Sequence, residues 1–179
     1  MPSLWHPPKA MHLNVEYNLS HLFQHFGQFE WHDDRGEAMA FSVRVRYSDH
    51  CYSDKLAFVP GCFRVGRDRV FCPIRHAHSL NLPTLMGTLF NRPTTTVSFT
   101  AKERNWSVFW LEIRPPLDPG HKYFAFFHVE RSTPPRGRDG RHHLDLVVES
   151  AYQRSGSVEV WHRFPFGKVA ERTARGIRI

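Results

Sequence analysis

Two short segments of the chain concentrate side chains that could carry chemistry. Residues 48–54 read Ser-Asp-His-Cys-Tyr-Ser-Asp, and residues 72–78 read Cys-Pro-Ile-Arg-His-Ala-His. Both contain imidazole and thiol groups, which are preferred ligands of zinc. Zinc sites usually take paired ligands at short spacing, but neither a Cys-x-x-Cys pair nor a His-Glu-x-x-His helix occurs here. We therefore expect no metal and no other cofactor.

Metal-free cleavage of a phosphodiester would use the same residue types differently. It needs a general base near the 2′-hydroxyl, an acid for the leaving oxygen and a cation on the phosphate. Histidine suits the first two roles because its pKa lies near neutrality, and arginine suits the third. If the two segments converge with a late predicted strand, we expect these catalytic residues: His50, Arg75, His76, His78, Glu149 and Tyr152, with Arg154 beside them.

Other kinds of catalysis have weaker support in the sequence. A Ser or Cys nucleophile activated by a distant histidine is an alternative, for example at Cys51 or Ser53. The chain has no Gly-x-Ser-x-Gly turn, no glycine-rich phosphate loop and no dinucleotide-binding fingerprint. These absences argue against a nucleoside-triphosphate enzyme and against a dehydrogenase.

The charge balance favours a polyanionic partner. Lys and Arg number 24 against 17 Asp and Glu, the formal net charge is +7, and the pI is about 9.7. A basic domain of this kind gains free energy by displacing counterions from phosphates. Basic proteins also dock on acidic proteins, so the charge alone does not identify the partner.

Basic residues interleaved with aromatic ones, as in residues 63–67, 104–106 and 161–164, are typical of single-stranded nucleic-acid binding. A Pro/Gly-rich basic loop is also predicted at 132–141. Alternating strands would by themselves place aromatic residues inward and arginines outward, which is the competing interpretation. We expect these residues to contact nucleic acid: Arg44, Arg46, Arg64, Arg67, Arg131, Arg136, Arg138, Arg141, Trp161 and Arg163.

Cysteine usage and hydropathy bear on the compartment. Three cysteines are too few for a disulfide framework. The N-terminal residues lack a charged leader followed by an apolar run, and no segment approaches ~18 consecutive apolar residues. We expect a cytoplasmic protein with free thiols that is neither secreted nor inserted in a membrane.

The elements that must position these residues indicate an α+β fold: one domain, 1–179, rich in antiparallel sheet, with one or two short helices packed on it. Helical spacing predicts helices at 19–26 and 82–90, and twofold alternation predicts a hairpin of strands 28–32 and 40–47. Further strands are predicted at 69–72, 94–100, 106–113, 123–131, 144–152 and 157–163. Residues 1–10 are expected to form an irregular arm, and 163–179 a basic tail or a short amphipathic helix.

Small bacterial endoribonuclease toxins share this plan, as do phage-encoded inhibitors and unrelated RNA-binding modules. We therefore expect an RNA-binding protein or a metal-independent endoribonuclease of toxin type. The alternative is a non-enzymatic inhibitor or adaptor, of phage or mobile-element type, that docks its basic face on an acidic protein surface.

Overall fold

The computed structural model describes residues 4–101, 104–136 and 140–177, with the backbone alone at 134–136. Its strands are β1 (Lys9–His12), β2 (Val15–Asn18), β3 (His25–His32), β4 (Ala38–Tyr47), β5 (Ser53–Asp54), β6 (Arg64–Val65), β7 (Arg69–Phe71), β8 (Thr96–Thr100), β9 (Trp106–Trp110), β10 (His121–Arg136), β11 (His142–Ser155) and β12 (Val160–Pro165). The α-helices are α1 (Pro73–Ser79), α2 (Leu82–Asn91) and α3 (Phe166–Ala174), and two 3₁₀ turns cover Ser20–Leu22 and Asp49–Cys51.

A seven-stranded sheet in the order β12-β8-β9-β10-β11-β4-β3 forms the centre of the α+β fold. The predicted antiparallel run from β8 to β11 is confirmed, as is the β3–β4 hairpin. These two antiparallel parts are joined by a parallel pairing of β11 with β4, which the sequence did not predict. A two-stranded sheet, β1-β2, and a three-stranded sheet, β5-β7-β6, complete the strands.

The inner face of the large sheet carries the hydrophobic core. Helix α2 buries Leu82, Met86 and Leu89 and half-buries Leu85, as the predicted helix at 82–90 requires. Helix α3 buries Phe166, Val169 and Ala170 in the same core, so the amphipathic-helix interpretation of the tail holds for this segment. No helix in the described ranges is long and apolar enough to cross a membrane.

The predicted helix at 19–26 is wrong. Only Ser20–Leu22 forms a 3₁₀ turn, and the chain is extended again when β3 begins at His25. A Cβ at Gly27 would lie 2.1 Å from the ring of Phe90, so this glycine allows α2 to approach β3 rather than ending a helix. Pairing with β4 thus overrides the local helical spacing.

The described parts of both terminal segments, residues 4–10 and 163–177, are more ordered than expected. Strand β1 begins at Lys9, inside the predicted irregular arm, and His6 is buried with Nε2 2.7 Å from the carbonyl oxygen of Tyr47. At the other end, Lys168 and Arg175 of the predicted basic tail pair with the carboxylates of Asp34 and Asp33. These two cations are therefore already neutralised by the protein itself.

The outer face of the sheet is polar and aromatic. Residues directly opposite one another in neighbouring strands lie on the same face. One such row crosses five strands, from Arg163 in β12 through Ser98, Ser107 and Phe126 to Ser150 in β11. The candidate site lies on this face.

Candidate active site

A cleft of about 700 Å³ opens on the outer face of the sheet beside β11. Four of the six residues predicted to be catalytic line it: His50, Arg75, Glu149 and Tyr152. Arg154 also lines the cleft, as does Arg69, which was not among the predicted residues. The structure thus brings together residues from three distant parts of the chain.

The cleft forms where β4 ends and β11 continues. After Tyr47, Ser48 donates its backbone N–H to the carbonyl oxygen of Val148 at 2.9 Å. The Ser48 hydroxyl accepts a hydrogen bond from the backbone N–H of His50 at 3.1 Å and donates one to the carbonyl oxygen of Glu149. Ser48 is completely buried, and these three hydrogen bonds fix the turn that holds His50 against β11.

Glu149 reaches the cleft through a β-bulge. Phe126 pairs with Ser150 and Phe127 with Val148, so Glu149 has no partner residue in β10. Such an extra residue re-aims the side chains around it. Val148 and Ala151 face the core, whereas Glu149 and Ser150 both face the cleft.

The Glu149 carboxylate is held on both sides. Asn105 donates its amide N–H to Oε2 at 3.0 Å, and His128 Nδ1 lies 3.3 Å from Oε1. The amide of Asn105 is oriented in turn by the hydroxyl of Thr100, which donates to its Oδ1 at 2.8 Å. The carboxylate is therefore a fixed acceptor at one end of the cleft.

Two arginines, Arg69 and Arg75, line the cleft. Arg69 donates from Nε to the hydroxyl of Ser53 at 2.8 Å and from Nη2 to the Ser53 carbonyl oxygen at 2.6 Å. Arg75 donates to the carbonyl oxygen of His50 at 3.2 Å and pairs with Asp54 at 3.1 Å. Burial, followed by the positive charge of Arg75, lowers the pKa of Arg69. Asp54, which pairs with Arg75, also acts on Arg69 and offsets part of this repulsion, and an anion bound in the cleft would offset more of it.

His50 is a weakened base at neutral pH. Burial first, and then the positive charge of Arg69, lowers the pKa of its imidazole, while Asp49 opposes the shift. His50 Nε2 is 3.7 Å from Asp49 Oδ1, which is too far for a hydrogen bond. Asp49 Oδ1 is itself buried and has no hydrogen-bond partner in the part of the chain that the structure describes. The imidazole is therefore neutral at pH 7 and able to accept a proton.

His76 and His78 do not belong to this cleft, contrary to the prediction. Residues 73–79 form helix α1, in which His76 projects about 100° away from Arg75. His76 is buried with Nε2 2.9 Å from the carbonyl oxygen of Asn18, and its ring lies 5.4 Å from that of Phe71. His78 is buried against Tyr123, and burial lowers its pKa. Both are core histidines.

The alternative thiol nucleophile has the wrong environment. Cys51 is fully buried, and burial raises the pKa of its thiol to about 12. A nucleophilic cysteine needs a thiolate at working pH. The Ser53 hydroxyl donates to the Asp49 carbonyl oxygen at 2.7 Å and accepts from Arg69, so it supports the cleft. All three cysteines are free, and no group of three or more metal-ligating side chains occurs among the described residues.

The predicted nucleic-acid contacts do not form one patch. Arg44 and Arg46 lie on the outer face as expected, but they pair with Asp145 (2.5 Å) and Glu130 (3.4 Å). Arg163 is exposed on the same face as the cleft, in the row that ends at Ser150. The exposed Trp161 lies instead beside Phe99, which packs on the core.

The remaining predicted contacts lie away from the cleft or outside the description. Arg64 is exposed with its guanidinium 4.0 Å from the Phe58 ring, and Arg67 is exposed in the turn before β7. The β10–β11 loop is shorter than predicted because β10 continues past the exposed Arg131, and Arg141 is half-buried beside β11. Arg138 and the side chain of Arg136 lie outside the described residues.

Sequence reasoning missed several residues of the site. Arg69 stood in a predicted strand, where an alternating arginine is most simply explained as a solvated side chain. Asn105 was part of a basic and aromatic segment, but no motif indicated that its amide would donate a hydrogen bond to Glu149. The role of Ser48 depends on the pairing of β4 with β11, which no local pattern encodes.

Comparison with known proteins identifies the family of the chain but does not identify an activity. Searches of curated proteins and of solved structures find no match to the chain. A family model matches residues 9–174, which include the cleft and nearly the whole fold. The chain belongs to the YjaZ family.

Proposed function

We propose that the protein is a metal-independent endoribonuclease that works in the cleft beside β11. The observation that supports this most is the neutral His50 imidazole beside two adjacent guanidinium groups, Arg69 and Arg75. Phosphodiester transesterification needs a general base and positive charge at the phosphate, and this cleft contains both.

In the proposed reaction, His50 accepts the proton of the RNA 2′-hydroxyl. The 2′-oxygen forms a bond to phosphorus, and the bond from phosphorus to the 5′-oxygen breaks. Arg69 and Arg75 stabilise the extra negative charge on the phosphate oxygens. The Tyr152 hydroxyl donates a proton to the leaving 5′-oxygen. The proton held by His50 then passes through water to the Tyr152 phenolate, so that both residues return to their starting states. The products are a 2′,3′-cyclic phosphate and a 5′-hydroxyl.

Glu149 has a positioning role in this scheme. Its carboxylate is fixed by Asn105 and His128 and lies within the cleft, where it can accept a hydrogen bond from a ribose hydroxyl. RNA would be met in the cytoplasm, where free thiols such as those of this chain also persist. A docking role on an acidic protein is the interpretation left if RNA does not bind.

The experiment is a cleavage assay on end-labelled single-stranded RNA in the presence of a chelator. The wild-type protein should cut RNA, leave the same sequence in DNA intact, and produce 2′,3′-cyclic phosphate ends. His50→Ala should abolish cutting, whereas His32→Ala, at an exposed position in β3, should not. Dependence on added metal, or equal cutting of DNA, would contradict the mechanism.

A further inference from the structure

A ladder of aromatic rings runs from the cleft across the outer face of the sheet. Tyr152 and Phe126 line the cleft, and their ring centroids are 5.5 Å apart. Phe124 stacks beside Phe126 at 5.9 Å, and Phe109 in β9 follows at 5.4 Å. A sheet face that is not part of the core is usually polar, so these rings call for an explanation.

Two cationic side chains lie beside the ladder. Lys122 Nζ lies 4.4 Å from the Phe109 ring centroid, and Arg154 Cζ lies 6.0 Å from that of Phe124. Phe124 is only 4% exposed although it is not in the core cluster, whereas Phe109 is 47% exposed. The far end of the ladder is therefore an open aromatic surface beside a cation.

Lys122 and Arg154 lie directly opposite each other in the β10–β11 pair. Like charges in this position destabilise a sheet. Neither side chain forms a salt bridge with a carboxylate anywhere in the described ranges. A phosphate between the two cations would remove the repulsion, which gives the surface its charge complementarity.

We infer that the ladder is a subsite for single-stranded RNA leaving the cleft, with one phosphate held by Arg154 and Lys122 and one base stacked on Phe109. Unpaired bases stack on exposed rings while nearby cations follow the backbone. Strands β9 and β11 are two spacings apart, about 10 Å, and a stacked strand covers this distance in about three nucleotides. This inference rests on the proposed function in one respect, namely that the RNA runs from the cleft towards Phe109. Binding of RNA to the ladder can be measured without any cleavage.

The test measures binding of a fluorescent 2′-O-methyl oligonucleotide, which resists cleavage because it lacks the 2′-hydroxyl nucleophile. Phe109→Ala should weaken binding about 5- to 150-fold, the range expected for the loss of one base–aromatic stack. Phe109→Trp should restore it. The control is Leu111→Ala, at an apolar position that is 64% exposed just beyond β9, and it should leave affinity unchanged.

A second measurement tests the phosphate. Lys122→Ala should lower the slope of log affinity against log salt by about 0.7, the value for one released single-strand contact. Lys55→Ala, at an exposed lysine paired with Asp68, should leave the slope unchanged. Unchanged affinity in Phe109→Ala, or an equal loss in Leu111→Ala, overturns the subsite even if the wild-type protein cuts RNA. Loss of binding in Phe109→Ala without any RNA cutting by the wild-type protein would support the subsite and refute the nuclease.

Discussion

The guanidinium of Arg75 lies over the ring of Tyr152, with 5.0 Å between Cζ and the ring centroid. This contact joins helix α1 to strand β11 across the cleft. The same guanidinium donates to the carbonyl oxygen of His50, so one side chain connects three elements of the site. A planar guanidinium can stack and donate hydrogen bonds together, which an ammonium group cannot.

Replacing Arg75 should therefore impair catalysis. Arg75→Gln should lower kcat on saturating RNA by about 10²- to 10³-fold, as expected when one donor to the transition state is removed. Arg75→Lys should retain only part of the wild-type activity, because lysine keeps the positive charge but lacks the planar set of N–H donors of the guanidinium. Single-turnover cleavage measures both, with Arg92→Gln, at an exposed arginine after α2, as the control. Full activity in Arg75→Gln would remove this residue from the mechanism.

The pH dependence of cleavage should report on His50. Its pKa is lowered in the folded protein, so the imidazole is neutral and active as a base above the lowered value. A plot of kcat/KM against pH should therefore decline at low pH, and the midpoint of this decline should lie below pH 6.5, the ordinary pKa of histidine. Arg69→Gln removes one of the positive charges that lower the pKa of His50 and should move the midpoint to higher pH. A midpoint that stays in place in Arg69→Gln, with the fold intact by circular dichroism, would contradict the assignment of His50.

The close approach of α2 to β3 predicts opposite effects for two glycines. Gly27→Ala should destabilise the protein by about 1–3 kcal/mol, because its Cβ would lie 2.1 Å from the Phe90 ring. Gly87→Ala, inside α2 with no atom within 4 Å of the added Cβ, should stabilise it by about 0.5–1 kcal/mol. Urea denaturation compares the two variants directly. Unchanged stability in Gly27→Ala would show that the Phe90 ring can move aside at little cost, which would contradict the prediction.

Stability should fall in mild acid because histidines are buried neutral. Burial first, and then the charge of His76, lowers the pKa of His21 to about 4. A base with a lowered folded pKa binds more protons when unfolded, so its contribution is complete above pH 6.5 and is lost as the pH falls towards 4. Thermal unfolding between pH 7 and pH 4 should show this loss. His21→Gln should flatten the curve, and an unchanged pH dependence would assign the effect to other groups.

The strands and α2 were predictable from sequence because their periodicity agrees with their final environment. Val43, Val45 and Tyr47 alternate with Ser42, Arg44 and Arg46, and the structure buries the first set and half-buries the second. The segment at 19–26 failed because its apolar spacing suits a helix, whereas contacts with β4 and Phe90 determine the chain path. Local pattern carries no information about such distant partners.

The cleft was partly predictable for a related reason. His50 and Arg75 stood out because they lie in polar segments beside predicted elements, and Glu149 and Tyr152 because they lie in a late predicted strand. The bulge at Glu149 and the parallel pairing of β4 with β11 bring these residues together, and both depend on contacts between distant segments. His76 and His78 were expected beside the other candidates but lie buried outside the cleft, because helix α1, which carries them, was not predicted.

The most direct test of the account compares RNA affinity with RNA cleavage in the wild-type protein and in His50→Ala, both in chelator and at moderate salt. A general base acts on the transition state, so His50→Ala should bind RNA within about twofold of wild type and should not cut it. Binding follows from titration of a fluorescent RNA, and cleavage from a gel of the same mixtures. Cutting by His50→Ala at the wild-type rate, or a wild-type protein that binds no RNA, would contradict the account.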